Sequence, residues 1–327
     1  MTEYTTEGII VRKTTGTFTV MTGKSRDPLA DSMLVCVARG LLRKAGLVPG
    51  DRVEIVYTDR SFVIGENGRA VPVDNPAGVP DCAIARLLER KNTLIRPRMS
   101  NLDCLFIVCA SARPDPDTLT TDKMLAVCEY YGIQAAIVVG KCELSPENTE
   151  RIASIYTRSG YPVFPVSCAE KTGLDRLKRY IDSTLDGKTA AFSGASGVGK
   201  SSLLASLFPD LDLTTGSVSE KTGRGRHTTR NVELYPVSAG DGSCMIADTP
   251  GFSLMDFENF DFLPFEALDG CFPDFRRFYA DCRYADCTHT REKECGVALA
   301  IGEGKISATR RESYIAMYDV LKNKNRW

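Results

Sequence analysis

From Gly194 to Ser201 the chain reads Gly-Ala-Ser-Gly-Val-Gly-Lys-Ser, which fits the spacing G-x-x-x-x-G-K-[ST]. The glycines permit a tight turn whose backbone N–H groups can surround a phosphate. The lysine can reach the terminal oxygens of a nucleotide, and the serine hydroxyl can ligate Mg²⁺. Such a turn needs a buried strand before it and a helix after it. Both flanks comply: Thr189 to Phe192 is apolar and Ser201 to Phe208 is helical in character. Gly194, Ala195, Ser196, Gly197, Val198, Gly199, Lys200, Ser201 and Ser202 are therefore the expected phosphate-binding segment, with Ser201 also a ligand of Mg²⁺. Taken alone, the run is also compatible with a plain glycine-rich turn.

With 327 residues the chain can hold two or three domains, each with its own core. A net charge of −1 gives no general pull toward nucleic acid, so any such contact must come from local basic patches. Met1 to Glu7 is polar, and the longest apolar runs, Cys104 to Ala110 and Ala135 to Val139, are far too short to cross a bilayer. A cytoplasmic chain with no membrane partner is expected, and nothing demands an oligomer, so a monomer is expected as well. Among twelve cysteines, Cys36, Cys104, Cys109, Cys128 and Cys244 lie inside apolar segments and Cys271 reads as packing. Cys282, Cys287 and Cys295 instead cluster around one of only two histidines, His289. A reducing compartment with one metal site accounts for this distribution better than disulfides do.

Residues 1–72 read as an N-terminal OB-type β-barrel, with strands Glu7 to Val11, Thr17 to Met21, Met33 to Ala38, Arg52 to Tyr57 and Ser61 to Gly65. An SH3-like barrel is the competing assignment, and Arg39, Arg43 and Lys44 form a basic loop on either one. Residues 73–262 alternate strands with helices, the pattern of a mostly parallel sheet covered on both faces. Residues 263–327 read as a small helical, cysteine-bearing domain.

The nucleotide chemistry extends beyond the phosphate loop. Strand Cys244 to Ala247 ends in Asp248-Thr249-Pro250-Gly251, so Asp248 can join the Mg²⁺ shell and Gly251 can offer its N–H to a γ-phosphate. Gly216 to Arg230 is a glycine- and charge-rich loop in which Thr229, or after it Thr228, can complete the Mg²⁺ shell. A basic linker is the plainer reading of that loop. After strand Ala135 to Val139 comes Gly140-Lys141-Cys142-Glu143, where guanine-binding proteins usually carry N-K-x-D. Glu143 can accept from the purine N1 and N2 donors and Lys141 can pack along the base, whereas Gly140 lacks an amide side chain. Ser167-Cys168-Ala169 is similar to the S-A-x stretch whose backbone N–H meets the guanine carbonyl. Both stretches follow strands, where ligands bind in open α/β sheets.

Cys282, Cys287, His289 and Cys295 are spaced C-x4-C-x-H-x5-C. Three thiolates and an imidazole suit one tetrahedral, structural Zn²⁺, although incidental thiols remain an alternative on spacing alone. Lys305, Arg310, Arg311, Lys322, Lys324 and Arg326, with Arg276, Arg277, Arg283 and Tyr284, could form a phosphate-facing surface or simply a solvated one.

The order of these segments is base motif, serine-alanine motif, phosphate loop, switch loop, then D-T-P-G. That is a circular permutation of the usual order. It resembles the ribosome small-subunit-dependent GTPases, the RsgA/YjeQ family, over nearly the whole chain. Further support comes from Lys221 to Arg230 with its R-G-R-H-T-T-R, Ala38-Arg39-Gly40, and Lys91 to Pro97. The resemblance implies an OB barrel, a permuted P-loop GTPase domain and a zinc-binding C-terminal domain. It also implies GTP and GDP as ligands, the small ribosomal subunit and its rRNA as partners, and a role in late maturation of that subunit. Many GTPases place a water-orienting glutamine after D-x-x-G, but here that residue is Phe252. His227 is the internal candidate for that catalytic task. The resemblance implies slow intrinsic hydrolysis, accelerated when the subunit orders the loop.

Overall fold

The computed structural model describes residues 3–23, 32–58, 62–64, 70–72, 82–94, 98–211, 232–248 and 263–324. Alternating buried and solvent-facing residues make β1 (Glu3–Lys13), β2 (Phe18–Thr22), β3 (Met33–Ala38) and β4 (Arg52–Thr58) one-sided strands. Short strands β5 (Phe62–Ile64) and β6 (Ala70–Pro72) pair only with each other. The barrel is closed by β7 (Cys82–Leu87), in the order β1-β2-β3-β7-β4, with β3 and β7 parallel from Cys36↔Cys82 to Ala38↔Ile84. Ile10, Val20, Leu34, Val53, Ile55 and Ile84 fill its core. The five-stranded OB-type barrel is thus as expected, but its last strand is not. Ser61 to Gly65 was the expected fifth strand, and β7 takes that place.

Beyond the barrel, β8 (Thr93–Leu94) and β9 (Met99–Ser100) form a second small ribbon. It is tied down by one buried carboxylate. Asp51 accepts from the Val48 N–H (2.9 Å), the Ser100 hydroxyl (2.6 Å) and Arg90 Nε and Nη2 (2.6 and 2.7 Å). Gly50 beside it, at φ +90°, leaves no room for a side chain, since a Cβ would stand 2.0 Å from the Ser100 carbonyl oxygen.

Strands and helices then alternate: β10 (Cys104–Ala110), α1 (Thr118–Tyr131), β11 (Gln134–Gly140), α2 (Pro146–Arg158), β12 (Val163–Pro165), α3 (Leu174–Thr184), β13 (Thr189–Ser193) and α4 (Lys200–Leu207). Strands β14 (Glu233–Ala239) and β15 (Gly242–Asp248) follow, and the sheet order is β12-β11-β10-β13-β15-β14. Pairings β12–β11, β11–β10 and β10–β13 are parallel. β10 is buried along its whole length, as a central strand covered on both faces must be. The helix starts are written locally. Asp117 accepts the Thr120 N–H at the head of α1, and Ser145 accepts the Asn148 N–H at the head of α2, which has proline in its first turn. Short turns then lead through α5 (Pro273–Arg276) and α6 (Gly296–Gly302) into α7 (Ala308–Lys324).

The chain divides into two compact units: Met1–Leu102 with Gly225–Pro236 and Met245–Gly251, and Asp103–Arg224 with Val237–Cys244 and Phe252–Trp327. The closing barrel strand β7 lies past residue 72, and a buried ionic cluster joins residues on both sides of residue 262. Arg310 of α7 is 0 % exposed; it donates to Asp122 of α1 (2.7 Å) and to both oxygens of Asp274 of α5 (2.8 and 3.1 Å). Ser159 adds a hydrogen bond to Asp274 (2.9 Å), and the Phe272 ring lies 4.5 Å from the guanidinium. The cysteine-bearing segment is therefore bolted to α1 rather than standing as a separate body.

Replacing Arg310 by leucine should destabilise the chain by about 3–5 kcal/mol, because two buried carboxylates lose their counter-ion. The melting temperature should fall on the order of 10 °C. Burial raises the Asp122 pKa and Arg310 opposes that rise. An acid holding its proton more tightly in the folded chain loses stability as pH climbs from its unfolded toward its folded pKa. Without Arg310 that window widens upward, so the deficit should be smaller at about pH 5 than at about pH 8. Equal melting temperatures for the two proteins would remove the bolt from this account.

Candidate functional site

Strand β13 delivers the chain into the phosphate loop at Gly194, where a Cβ would stand 2.0 Å from the Val108 carbonyl oxygen of β10. Only glycine allows the loop to lie this close to the sheet. Gly199, at φ +100°, turns the chain into α4. Ala195, Ser196 and Gly197 are exposed at the tip, Val198 is buried beneath it, and Ser201 and Ser202 face solvent in the first turn of α4. The start of α4 thus offers unpaired backbone N–H groups to an anion. Lys200 folds back and donates to the carbonyl oxygens of Gly194 (2.7 Å) and Ala195 (2.9 Å). Partial burial lowers its pKa, so a phosphate arriving here would meet an ammonium already short of water.

The two stretches expected to read the base converge on this loop. β11 ends at Gly140, and a Cβ there would come within 3.1 Å of the Val198 carbonyl oxygen. The strand end and the phosphate loop are therefore in backbone contact. Lys141 adopts φ +55°, and its ammonium donates to the Arg113 carbonyl. Its own carbonyl accepts the Ser111 hydroxyl (2.6 Å), and Asn148 of α2 donates to the Ser111 carbonyl (3.0 Å). Glu143 is half-buried, and its Oε2 is buried with no hydrogen-bond partner among the described residues. A carboxylate oxygen in that position is an acceptor without a donor.

Ser167, Cys168 and Ala169 open a turn closed by paired backbone bonds between Ser167 and Thr172, each 3.0 Å. The Ser167 hydroxyl accepts the Glu170 N–H (3.1 Å). The Cys142 N–H donates to the Val166 carbonyl (3.2 Å), which laces this turn to the Gly140–Glu143 stretch. Three segments singled out separately along the chain thus meet in one unit. Strand β15 does end at Asp248. His227, Thr228, Thr229, Gly251 and Phe252 lie outside the described residues.

In the C-terminal segment, ligand atoms of Cys282, Cys287, His289 and Cys295 all lie within 4.8 Å of one another. His289 Nδ1 is 3.6 Å from the Cys282 sulfur and 3.5 Å from the Cys295 sulfur. Two ligands on one tetrahedral zinc, at about 2.3 Å for sulfur and about 2.0–2.1 Å for nitrogen, stand about 3.5 Å apart. The donor set and its spacing therefore fit such an ion. The Gly296 N–H donates to the Cys282 sulfur (3.2 Å). On its far side, His289 Nε2 faces Asp269 (3.7 Å), the carboxylate–imidazole arrangement that orients a ligating histidine. Tyr279 stacks on the ring at 4.4 Å and donates to Asp269 (2.5 Å). Arg311 donates to the carbonyls of His289 (2.9 Å) and Thr290 (2.8 Å). Without an ion, burial pushes the Cys287 thiol up to about 12.

These supports correct the reading of the basic patch. Arg310 is wholly buried and Arg311 props the loop that carries His289, so neither is free to face a phosphate. Arg276, Arg277, Arg283, Tyr284, Lys305 and Lys322 are exposed, whereas Arg326 lies outside the described residues. Sequence reasoning missed Asp269, Tyr279 and Ser111. No spacing rule marks them, since each reaches its partner only through the fold.

A family model described as RsgA GTPase matches residues 87–258. The small ribosomal subunit biogenesis GTPase RsgA of Agathobacter rectalis is 37 % identical over 295 residues, covering 89 % of both chains. Its namesake from Caldanaerobacter subterraneus subsp. tengcongensis is 33 % identical over 321 residues, 98 % of this chain and 97 % of the relative. Among solved structures, YjeQ from Thermotoga maritima superposes with a TM-score of 0.70 at 27 % identity, covering 98 % of this chain and 99 % of that one. YloQ, described as a circularly permuted GTPase, gives 0.70 at 28 % identity, covering 98 % and 96 %. With a matching family model over half its length and relatives above 30 % identity along most of it, the chain belongs to the RsgA GTPase family.

Proposed function

We propose that this chain hydrolyses GTP to GDP and phosphate during late maturation of the small ribosomal subunit, that it contacts rRNA, and that the subunit stimulates hydrolysis. The observation that carries the reading is the convergence of Gly140–Glu143, Ser167–Ala169 and Gly194–Ser202, with Gly140 against Val198 and Cys142 bonded to Val166. The names of the relatives support the biological setting.

In this reading the amides of residues 194–202 wrap the phosphates, and Lys200 exchanges two loop carbonyls for phosphate oxygens. Ser201, Thr229 and Asp248 would hold Mg²⁺, which draws charge from the phosphate oxygens. Gly251 offers its N–H to the γ-phosphate. The unpartnered Glu143 oxygen accepts from guanine N1 and N2, Lys141 lies along the base, and an amide of Ser167, Cys168 or Ala169 meets the guanine carbonyl. His227 orients the attacking water. Cys282, Cys287, His289 and Cys295 would hold one structural Zn²⁺, which cross-links a loop with no strand of its own. The protein acts as a cytoplasmic monomer, with the barrel (1–72 and its closing strand) and the 263–327 segment as its RNA-facing parts.

Glycine and glutamate stand where asparagine and aspartate are usual, which favours looser purine selection as a second reading. Single-turnover hydrolysis with and without small subunits, competed by ATP, separates the possibilities. GTP should outcompete ATP by about tenfold to a hundredfold, the equivalent of one charged hydrogen bond of about 1.5–3 kcal/mol, and subunits should accelerate turnover. Equal competition by ATP would overturn the guanine assignment, and a rate indifferent to subunits would overturn the stimulation.

A further inference from the structure

Of the twelve cysteines, eight are buried. Four are half-buried, and Cys282 and Cys287 among them belong to the metal cluster. The two that remain are Cys142 and Cys168. Each sits beside a residue already assigned to the purine: Cys142 between Lys141 and Glu143, Cys168 directly after Ser167.

These thiols share one small region. The Cys142 N–H donates to the carbonyl of Val166, two residues before Cys168 (3.2 Å). The Cys142 thiol also interacts with the side chain of Thr172, whose backbone closes the Ser167–Thr172 turn. The Gly140–Glu143 loop in turn lies next to the phosphate loop, through Gly140 and Val198. The only thiols outside the metal cluster that reach solvent therefore flank the expected base pocket. Burial raises the Cys142 pKa, so exchange at that sulfur rests on its access and not on an enriched thiolate.

We propose that Cys142 and Cys168 form a nucleotide-gated modification site for low-molecular-weight disulfides of the glutathione class: the thiols exchange while the base pocket is empty, and the adduct then excludes the purine. The proposal rests on reading residues 140–143 and 167–169 as the base site. In each exchange the cysteine gives up its proton and its thiolate attacks one sulfur of the reagent disulfide. A protein–reagent S–S bond forms, the reagent's own S–S bond breaks, and the electron pair departs with the second half. That half takes up the released proton and leaves as a thiol. One protein thiol is oxidised and half of the reagent is reduced, so no other oxidant is needed. A tripeptide-sized adduct rivals a purine in bulk, and a reducing thiol reverses the step.

The test uses the full, metal-loaded chain and dithiobis(nitrobenzoate) as the probe, with labelled peptides located by mass. GDP binding to unlabelled protein is measured first. Labelling of nucleotide-free protein should be concentrated at Cys142 and Cys168. With free GDP at about ten times its Kd the fraction of empty sites, and with it the labelling rate, should fall about tenfold. Labelled protein should lose most of its GDP affinity and regain it with dithiothreitol. Unlabelled protein that binds GDP but labels at the same rate with and without it would overturn the gating. Undiminished GDP affinity after labelling, or no labelling at either thiol, would overturn the site. Unlabelled protein that does not bind GDP would instead bring down the base-site reading, and this inference with it.

Discussion

Stripping the metal from the Cys282–Cys295 cluster should melt residues 279–296 while the sheet from β10 to β13 stays folded. Between Cys282 and Cys295 there is no helix or strand, and the preceding elements are single turns and a four-residue helix. Segments that short do not hold themselves together in water. The loop's own fastenings are hydrogen bonds and one ring stack: Tyr279 on His289, Arg311 on two carbonyls, the exposed Arg283 on both oxygens of Glu294 (2.7 Å each), and Glu292 accepting from the Thr288 hydroxyl (2.7 Å) and from the Thr288, Thr290 and Arg291 N–H groups (3.0 Å each). Against this, structural zinc in small domains contributes about 10–16 kcal/mol of apparent binding free energy. Removal of the ion leaves three crowded sulfurs and a buried imidazole without the one partner they share. α7 should nevertheless remain docked, because Arg310 grips Asp122 and Asp274 without help from the cluster. Hydrogen exchange after complete chelation, with metal content measured in parallel, reads both halves. Protection should vanish across 279–296 and persist in α1 and α7. Unchanged protection across 279–296 would mean that the cluster is a structure without need of a metal.

The contrast between loop and bolt marks where a sequence is readable. The phosphate loop, the buried strand before it and the helix after it carry their geometry within nineteen consecutive residues, Thr189 to Leu207, so glycine spacing and apolar runs disclose them. The same holds for Cys104–Ala110, apolar throughout, which became the fully buried β10. The cysteine cluster was legible for the same reason, since its four ligands span only fourteen residues from Cys282 to Cys295. Arg310 was not, because its partner Asp122 is 188 residues away. On sequence alone an arginine in a basic run looks solvent-facing. The fifth barrel strand failed in the same way. Both Phe62–Ile64 and Cys82–Leu87 have strand composition, and the choice between them is made by the parallel seam with β3, a long-range pairing. Asp269 reaches His289 only after the chain has folded back through α5. Local chemistry was readable here, and long-range electrostatics was not.

Replacing Lys200 by alanine should lower GTP affinity and turnover by a hundredfold or more while leaving the chain folded. Its ammonium now donates to the carbonyls of Gly194 and Ala195, bonds worth about 1 kcal/mol each to stability. Their loss should move the melting temperature by only a few degrees. With nucleotide bound, the same group would make two charge-assisted bonds to phosphate oxygens, each worth about 1.5–3 kcal/mol. Two such bonds correspond to a factor of about a hundred to ten thousand. Folding and ligand effects can be separated in one thermal experiment. Wild-type protein with GDP at about a hundred times its Kd should gain about 2.7 kcal/mol of stability. The variant at the same GDP concentration should gain almost none, although its ligand-free melting temperature is nearly normal. Arginine at this position should not restore the gain, because its flat, forked guanidinium replaces a compact point charge and presents its donors in a different geometry. A full GDP-induced shift in the alanine variant would place the phosphates elsewhere, and Gly194 would then be packed against Val108 for the sake of the turn alone.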